Sequence, residues 1–554
     1  QLEASLASIS GRSSSVIART GYGKTLCIAI PLLLQPDTIT VTISPLKRLQ
    51  KMQVNDFMQK YGIPTIAINE DTSNSPELWN KIEAGEIRHL LVQPEQLRTN
   101  HAGHLPRMAR LLHNPGFVNK IKRVAVDEAH NIRTSGIAIN GRPPFRPSWG
   151  ALGEFRARLS KDTSFQALSA TMPSFIHRTI GQSLGFPPDS LTIRVSINRP
   201  NIIYATHQLI DGRKNLRNLD CIIPSSFHPP MRLPKLVIFH GEKAETCNAA
   251  EHLNSLLSPE LQKLRICRHY HSDMSPEYLE QTYASFADPE GDVLILHSTS
   301  GGGEGLDVRE INGVINYGLP EQVTMRFQWE GRAGRSSNRD AFALTMIEPW
   351  VSEMDLTDVN PRKQERVGRA SVRLAQCSGC KRAAYAKFFE DDDDEALDFT
   401  CAWCCDGHPG NGFSLSKLFL GPIYEGEIKI AAKRTRNKYR RVKERAGLVD
   451  LLTTWLADTH HRCALRFLRS PSFILDAEAI KSLSMTLPST FTCAASVAYV
   501  LKQSEEWNNT YGESIYEIIK HYNRKTASKK TVGDSEEDSD EDTGPPLKKL
   551  RSRS

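Results

Sequence analysis

The sequence predicts an α/β fold with two parallel sheets, and three features of the chain indicate it. Short apolar segments alternate with helical or loop segments over residues 1–366, which is typical of parallel sheets covered by helices on both faces. Two Cys-x-x-Cys pairs follow, and residues 448–522 then show the apolar spacing of helices. We therefore predict α/β lobes at residues 1–197 and 198–366, a zinc-binding module at 367–410, an α-helical C-terminal region at 411–525 and a disordered acidic and basic tail at 526–554.

The composition is typical of a multidomain protein of the cell interior. The chain has 554 residues and a formal net charge of +7, which mildly favours polyanionic partners. Its eleven cysteines do not resemble the disulfide framework of a secreted protein. No apolar run approaches the roughly 18–20 residues that span a bilayer, and no signal peptide is recognisable. We expect a soluble intracellular protein and, because the chain begins at Gln1 rather than Met, a fragment.

The first lobe is predicted from five short apolar segments. They lie at residues 14–18, 38–44, 89–93, 123–127 and 164–169. In parallel sheets ligands bind beyond the carboxyl ends of the strands. The polar residues that follow these segments are therefore the first place to look for chemistry.

A glycine-punctuated turn follows the first strand. Residues 21–25 read Gly-Tyr-Gly-Lys-Thr and lead into a helical segment at residues 26–34. Backbone N–H groups and a helix N-terminus in this arrangement suit a phosphate, with Lys24 at the β- and γ-phosphates and Thr25 on Mg²⁺. The alternative for a match this short is an ordinary turn between a strand and a helix.

Two carboxylates follow a later apolar strand and lie at the same predicted edge of the sheet. Residues 124–130 read Val-Ala-Val-Asp-Glu-Ala-His. We expect Asp127 to bind Mg²⁺ through its hydration shell and Glu128 to position and deprotonate the attacking water. Ser169 and Thr171, after another strand, suit a hydrogen-bonded relay between the lobes. A lone acidic pair in a solvated turn is the alternative.

These segments resemble motifs I, II and III of superfamily 2 helicases. Ser44-Pro45-Leu46, residues 93–97, 145–147 and 198–201 narrow the resemblance to the RecQ family of DNA helicases, of a fungal-like kind with a divergent C-terminal region. The resemblance implies two RecA-like lobes, ATP and Mg²⁺ as cofactors, and 3′-to-5′ movement on DNA. It places Gln1 where the family reads adenine, although the aromatic and the arginine that normally precede this glutamine are absent. The cofactor-binding candidates are Gln1, Thr20, Gly21, Tyr22, Gly23, Lys24, Thr25 and Asp307.

The segment after His130 departs from the family pattern. The family has a short aromatic-rich loop there, whereas residues 131–141 contain no aromatic and aromatics resume only at Phe145 and Trp149. These two rings and nearby arginines can form a stacking platform for single-stranded DNA. The alternative is that both rings pack inside the lobe. Our nucleic-acid candidates are Ser44, Pro45, Arg142, Phe145, Arg146, Trp149, His271 and Thr299.

The second lobe continues the α/β pattern without a phosphate loop. Apolar segments at residues 235–239, 293–299 and 313–317 read as strands, and residues 244–257 read as a helix. Residues 303–307 and 328–335 resemble motifs V and VI. By that match Arg335 contacts the γ-phosphate, Arg332 supports it, Gln328 lies near the water and Asp307 lies at the lobe interface. The catalytic candidates are thus Lys24, Asp127, Glu128, Gln328, Arg332 and Arg335.

The cysteine pairs predict a structural zinc site. Cys377, Cys380, Cys401 and Cys404 have the spacing of a four-cysteine site, with Cys405 or His408 as possible substitutes. We expect the acidic run at residues 390–395, between the pairs, to be an exposed loop. Unligated cysteines are the alternative.

The C-terminal part gives weaker signals. Residues 429–445 are rich in Lys and Arg and can track phosphates or form a solvated helix face. Residues 534–542 are acidic, and residues 545–551 resemble a nuclear import signal, so we expect a nuclear protein.

Three functions are compatible with the sequence. The first is an ATP-dependent 3′-to-5′ DNA helicase acting on single-stranded and tailed duplex DNA in repair or recombination. The second is an RNA helicase or a translocase that does not unwind. The third is a nucleic-acid-binding remnant without turnover, against which the intact Lys24, Glu128 and Arg335 argue.

Overall fold

The computed structural model describes most of the chain. The described residues are 1–19, 21–99, 103–139, 143–228, 231–303, 306–336, 340–357, 368–397, 404–408, 414–426, 439–440, 442–464, 466 and 471–530. They form two compact units, Gln1–Ile430 and Ala431–Ser554.

A sheet of seven parallel strands organises the first lobe. In spatial order the strands are β3-β4-β2-β5-β6-β1-β7. Their bounds are β1 Ser14–Ile17, β2 Ile39–Ile43, β3 Thr65–Ile68, β4 His89–Val92, β5 Ile121–Val126, β6 Ser164–Ser169 and β7 Leu191–Arg194. The predicted parallel sheet is therefore confirmed, and the structure adds β3 and β7 at its edges.

Helices cover this sheet and join its strands. The helices of the first lobe are Leu2–Ile9, Leu26–Leu34, Lys47–Tyr61, Pro76–Ala84, Arg107–Leu111, Pro115–Val118, Asn131–Thr134, Pro147–Gly150, Leu152–Ala157 and Ser174–Ser183, with a 3₁₀ turn at Pro94–Leu97. Several begin where the sequence supplies a cap: the Ser75 hydroxyl accepts from the backbone N–H of Leu78, and Pro76 occupies the first helical position.

A second parallel sheet organises the next lobe. Its six strands run in the order β10-β11-β9-β12-β13-β8. Their bounds are β8 Ile202–Gln208, β9 Leu236–His240, β10 Cys267–Tyr270, β11 Ile295–Ser298, β12 Gly313–Tyr317 and β13 Ala341–Ile347. The helices are Lys243–Ser255, Pro259–Gln262, Pro276–Ala287, Ser300–Gly303, Val323–Glu330 and Pro349–Glu353, with a 3₁₀ turn at Leu216–Ile222.

The cysteine-rich module packs on the edge of the second sheet. Its helices are Arg369–Ala375, Lys381–Phe389 and Asp394–Leu397. The backbone of Tyr204, on edge strand β8, donates to the carbonyl of Cys404 at 3.2 Å and accepts from the N–H of Asp406 at 3.1 Å. Tyr385 and Phe389 share a buried apolar cluster with β8 and β9. The module therefore covers an edge strand that would otherwise present unpaired backbone groups.

The acidic run at residues 390–395 differs from the exposed loop that its charge predicts. Asp392 to Glu395 are exposed, but Asp391 is only 6% exposed. Its carboxylate accepts from the Ser196 hydroxyl and from the backbone N–H of Ile197, both at 2.9 Å. A buried carboxylate needs such donors. The run thus joins the module to the segment that connects the two lobes.

The C-terminal unit is helical. Its helices are Val442–Arg462, Ala477–Met485, Ala494–Leu501, Glu505–Trp507 and Glu513–Lys530, with a π-helical turn at Asn508–Gly512 and 3₁₀ turns at Pro471–Phe473 and Pro488–Thr490. A further 3₁₀ turn, Leu415–Leu418, packs instead against the core of the second lobe. Buried Leu448, Leu452, Leu483, Val497 and Ile515 form the core of the helical unit. Among the described helices, none has the length and hydropathy needed to cross a membrane.

Candidate nucleotide site, interlobe cleft and metal cluster

The phosphate loop begins just beyond β1. Gly21 and Gly23 have φ values of 85° and 79°, which only glycine adopts without strain. The Gln1 side-chain amide donates to the Tyr22 carbonyl at 2.8 Å. A Cβ on Gly23 would lie 2.5 Å from that amide nitrogen, so glycine is required for Gln1 to reach the loop. Thr20 lies outside the described residues.

The loop also positions the two residues predicted to hold phosphate and metal. The Lys24 ammonium donates to the carbonyls of Ala18 at 2.9 Å and Arg19 at 3.2 Å, so it lies within the loop. Thr25 precedes the helix Leu26–Leu34, at the terminus where backbone N–H groups favour an anion.

The acidic pair lies at the carboxyl end of β5, on the same edge of the sheet as the phosphate loop. Asp127 accepts from the Gln53 amide at 3.1 Å and from the backbone N–H of Glu128 at 3.0 Å. Burial and the neighbouring charge of Glu128 raise the pKa of Asp127. Burial also acts to raise the pKa of Glu128, but His130, Lys24 and Arg332 outweigh it and lower that pKa. Glu128 is therefore the carboxylate held ionised, as a base requires.

The two lobes meet at a hydrogen-bonded relay. The Gln328 side-chain amide, from the second lobe, lies 2.9 Å from His130 Nε2 and donates to the Thr171 hydroxyl at 2.8 Å. His130 Nδ1 lies 3.0 Å from the Ser169 hydroxyl and 3.3 Å from Glu128 Oε2. Gln328 is therefore connected to the carboxylate candidate through one histidine.

The two candidate arginines lie on the turn that follows the helix Val323–Glu330. The Arg332 guanidinium donates to the Leu306 carbonyl at 2.8 Å, and its charge helps to lower the pKa of Glu128. Arg335 forms an ion pair with Asp307 and is 11% exposed at its side chain. The structure thus brings Arg332 close to the acidic pair and couples Arg335 to Asp307.

The turn that carries these arginines is held by residues with no assigned role in our sequence analysis. Buried Arg199 donates to the carbonyls of Gly331 at 3.2 Å and Ala333 at 3.0 Å. Asn201 donates to the carbonyl of Gly334 at 2.7 Å. Both residues belong to the Asn-Arg-Pro-Asn segment at residues 198–201. Its polar side chains lie between apolar residues in the sequence, and this pattern could have indicated that they have a role.

The residues around the phosphate loop fit a nucleotide with Mg²⁺. The glycines leave the loop backbone open to an anion, and the Lys24 charge lies within the loop. Asp127 and Thr25 supply the hard oxygen ligands that Mg²⁺ prefers. The donor set therefore suits a Mg²⁺-bound nucleoside triphosphate.

The cysteine cluster has the dimensions of a zinc site, and in the described part of the chain it contains two of the four predicted cysteines and both predicted substitutes. Cys380, Cys404, Cys405 and His408 offer ligand atoms within 4.8 Å of one another. The Cys380 sulfur lies 3.6 Å from that of Cys404 and 3.9 Å from that of Cys405. Tetrahedral zinc with bonds of about 2.3 Å places sulfurs roughly 3.8 Å apart.

The neighbouring groups complete this cluster. The backbone N–H of Ala383 donates to the Cys380 sulfur at 3.4 Å, and His408 Nε2 is buried without a hydrogen-bond partner in the described part of the chain. The Cys377 sulfur instead lies 3.6 Å from the Gly379 carbonyl, and Cys401 lies outside the described residues. Among the described residues, the substitutes Cys405 and His408 therefore join Cys380 and Cys404 in the cluster, and Cys377 does not.

The module is also bonded to the helix that carries Gln328. Glu330, 1% exposed, accepts from Arg326 at 2.8 Å, Asn316 at 3.2 Å and the Thr345 hydroxyl at 3.1 Å. The Tyr385 hydroxyl of the module donates to its other carboxylate oxygen. Glu330 directly precedes the turn at residues 331–335, here called the arginine turn. It is thus held in place by groups from the lobe and from the module.

The predicted nucleic-acid residues of the first lobe separate into exposed and buried groups. Phe145 is 85% exposed, whereas Trp149 is 0% exposed and packs inside the lobe, as the alternative interpretation held. Arg146 donates to both carboxylate oxygens of Glu95, at 3.0 and 2.6 Å, and to the Pro45 carbonyl at 2.6 Å. Ser44 is fully buried and Arg142 lies outside the described residues. Of this group, Phe145 alone is a large exposed ring.

The two candidates of the second lobe lie after neighbouring strands. His271 follows β10 and is 5% exposed, and Thr299 follows β11 and is half-buried. Since β10 and β11 pair in parallel, both residues lie at the same edge of the sheet.

Two helicase families match the lobes. The DEAD/DEAH box helicase family matches residues 1–179, and the helicase conserved C-terminal domain matches residues 231–337.

Curated relatives narrow this assignment. The ATP-dependent DNA helicase RecQ of Pasteurella multocida is 26% identical over 413 residues, which are 72% of this chain and 58% of that protein. The ATP-dependent helicase SGS1 of Saccharomyces cerevisiae is 25% identical over 421 residues, which are 73% of this chain and 27% of that protein. A protein of Acanthamoeba polyphaga mimivirus, provisionally named ATP-dependent RNA helicase R290, is 24% identical over 72% of this chain and 68% of its own length. The chain thus spans less than two thirds of the Pasteurella RecQ. The lobes are therefore similar to the two domains of DEAD/DEAH box helicases, and about 70% of the chain is similar to the RecQ DNA helicases.

Proposed function

We propose that this protein is an ATP-dependent DNA helicase that moves 3′ to 5′ along single-stranded DNA and unwinds duplexes. The observation that carries the proposal is the contact of Gln328 with His130 and Thr171. It joins the second lobe to the carboxylate that would activate water in the first. A change in one lobe therefore acts on the hydrolytic residues of the other, which is what coupled movement requires.

Each residue of the cleft has a separate part in this proposal. The nucleotide, when bound, supplies a terminal phosphoryl group whose transfer to water releases free energy. Lys24 holds negative charge at the loop, and Glu128 orients and deprotonates the water. Arg332 faces the acidic pair. Arg335 leaves its ion pair with Asp307 and contacts the γ-phosphate as negative charge develops there. His130 and Gln328 keep Glu128 in a fixed position relative to the second lobe.

The DNA track in this proposal crosses both lobes. Phe145 offers an exposed ring for stacking on a base, and His271 and Thr299 lie at one sheet edge of the second lobe. When the lobes close and open, contacts on the two sides are made and broken in turn. The polarity, and a nuclear role in repair or recombination, rest on the family resemblance and on the tail at residues 545–551.

Unwinding of a tailed duplex tests the proposal. We expect strand separation with ATP and Mg²⁺ on a duplex with a 3′ single-stranded tail, and little on one with a 5′ tail. Lys24→Ala should abolish it, whereas the exposed first-lobe variant Lys81→Ala should retain it. Absence of unwinding with either tail by a protein that hydrolyses ATP would favour a translocase. Normal ATPase activity in Lys24→Ala would refute the nucleotide site.

An RNA helicase is the second candidate, because the mimivirus relative carries that name. The ATPase rate with single-stranded DNA, duplex DNA and RNA distinguishes the two. We expect single-stranded DNA to stimulate most, and a larger stimulation by RNA would replace the DNA proposal. No hydrolysis with any of the three would favour the inactive remnant.

A further inference from the structure

A second cluster of metal-binding side chains lies in the second lobe, away from the cysteine-rich module. Cys247, His269 and His271 each offer a ligand atom, and these atoms lie within 4.8 Å of one another. The Cys247 sulfur is 3.5 Å from His271 Nε2. Tetrahedral zinc with bonds of about 2.3 Å to sulfur and roughly 2.05 Å to nitrogen separates these atoms by about 3.5 Å.

The fold explains why these three residues meet. His269 lies on β10 and His271 directly follows it, and residues two apart on an extended strand point to the same side. The helix Lys243–Ser255 packs on that side and presents Cys247 near its N-terminal end. The cluster is therefore a consequence of regular α/β packing and needs no unusual backbone.

The surroundings hold the rings in place and leave access to solvent. His269 stacks on His271 with centroids 5.4 Å apart and on Tyr278 at 5.5 Å. Cys247 and His269 are half-buried, so water can complete the coordination. Lys243, whose charge acts on His271, is paired with Asp273. The backbone N–H of Asp273 donates to His271 Nδ1 over a long distance of 3.4 Å. When Nε2 binds a metal, the ring proton lies on Nδ1, so this contact would be lost.

We propose that Cys247, His269 and His271 bind a zinc ion with water as its fourth ligand. One thiolate and two imidazoles select zinc or a similar late transition metal over Mg²⁺ and Ca²⁺, which prefer oxygen. The site is therefore separate from that of the Mg²⁺ nucleotide. It also uses His271, so a bound ion competes with the strand contact that we assign to this residue; this consequence rests on the proposed function.

Metal counting on the full chain tests the site. The protein is equilibrated with excess zinc in the presence of Mg²⁺, freed of loose ions by gel filtration, and analysed by mass spectrometry for zinc per chain. We expect Cys247→Ser and His269→Gln to hold one ion fewer than wild type. The matched control Cys493→Ser, at an exposed cysteine of the helical unit, should hold as many as wild type. The difference in zinc count between wild type and these variants does not depend on how much zinc the cysteine-rich module binds.

A spectroscopic measurement on wild type covers the case in which a variant does not fold. Cobalt should give a sulfur-to-cobalt charge-transfer band in two titration steps, one for each cluster, whereas a single step matching the module would overturn the proposal. Equal zinc counts in wild type and folded Cys247→Ser would also overturn it.

The DNA consequence has its own measurement. Zinc should weaken binding of single-stranded DNA by wild type several-fold and leave Cys247→Ser unaffected. If the zinc count falls as expected but DNA affinity does not respond, the metal site stands and the role of His271 in the proposed function fails.

Discussion

At the scale of single residues, Glu128 is the group on which hydrolysis depends most directly in the proposed function. Its positive φ of 48° and its contact with His130 fix the carboxylate beside the phosphate loop. Glu128→Gln preserves the shape and removes the base. We expect the ATPase rate to fall about 10²- to 10⁴-fold while nucleotide affinity changes little. Steady-state ATPase and equilibrium nucleotide binding measure the two effects.

The matched control is Glu154→Gln, an exposed glutamate of the same lobe. It should hydrolyse ATP at the wild-type rate. A Glu128→Gln enzyme with more than a tenth of wild-type activity would assign the base to another group.

Phe145 is the residue to which the proposed function assigns strand binding in the first lobe. Its ring is 85% exposed, and stacking on one base contributes about 1–3 kcal/mol. Phe145→Ala should therefore weaken binding of single-stranded DNA roughly 5- to 150-fold. The salt dependence of binding should be unchanged, because a ring neutralises no phosphate. Fluorescence anisotropy over a salt series measures both quantities.

Tyr499→Ala is the control for this experiment, since Tyr499 is an equally exposed aromatic, at 84%, in the helical unit. It should bind DNA with wild-type affinity. If both variants bind equally well, Phe145 does not contact the strand.

At the scale of elements, the helix Lys381–Phe389 packs its aromatic rings on Phe327 of the helix Val323–Glu330 and adds one hydroxyl bond to Glu330. Burial raises the pKa of Tyr385, so its hydroxyl stays protonated and donates to Glu330. Tyr385→Phe removes this bond to a buried carboxylate, which costs about 1.5–3 kcal/mol. We expect a lower melting temperature and a slower DNA-stimulated ATPase, since Glu330 precedes the arginine turn. Calorimetry and ATPase assays check both.

Tyr499→Phe, at an exposed tyrosine, is the conservative control and should leave both measurements unchanged. A Tyr385→Phe protein with the wild-type melting temperature would mean that the remaining donors satisfy Glu330.

The sequence predicts some elements better than others, for physical reasons. All five residues of β2 and all four of β4 are buried, so their apolar character is visible in the sequence. The edge strands β3 and β7 are partly exposed because each pairs with one neighbour only, and β7 alternates apolar and polar residues. Strand β13 is buried throughout and apolar except for Thr345, and such a run does not distinguish a buried strand from a buried helix.

The candidate site likewise has residues that the sequence predicts and residues that it does not. Lys24, Asp127 and Glu128 follow predicted strands, and the edge of a parallel sheet is where ligands bind. Contacts between distant segments have no local signal. The bonds of Arg199 to the arginine turn and the bond from Tyr385 to Glu330 both depend on how the chain folds back on itself.

At the scale of the whole molecule, the proposed nucleotide cleft and DNA track both involve both lobes, so binding at one must affect the other. Thermodynamic linkage requires that single-stranded DNA change the affinity for a non-hydrolysable ATP analogue by the same factor as the analogue changes the affinity for DNA. We expect a factor of about 5 to 150, which corresponds to 1–3 kcal/mol of coupling. Binding titrations of each ligand, with and without the other ligand present, measure this factor.

Gln328→Ala should bring this factor close to one. The variant removes the amide that contacts His130 and Thr171, which is the described hydrogen-bonded connection from the second lobe to the relay. Each ligand alone should still bind, because Gln328 contacts neither the phosphate loop nor Phe145 in our proposal. Gln182→Ala, at an exposed glutamine of the first lobe, should keep the wild-type factor. If Gln328→Ala also keeps it, the lobes are coupled through other contacts, with Arg332 and the hydrogen bond from Arg48 to the Tyr270 hydroxyl as the next candidates.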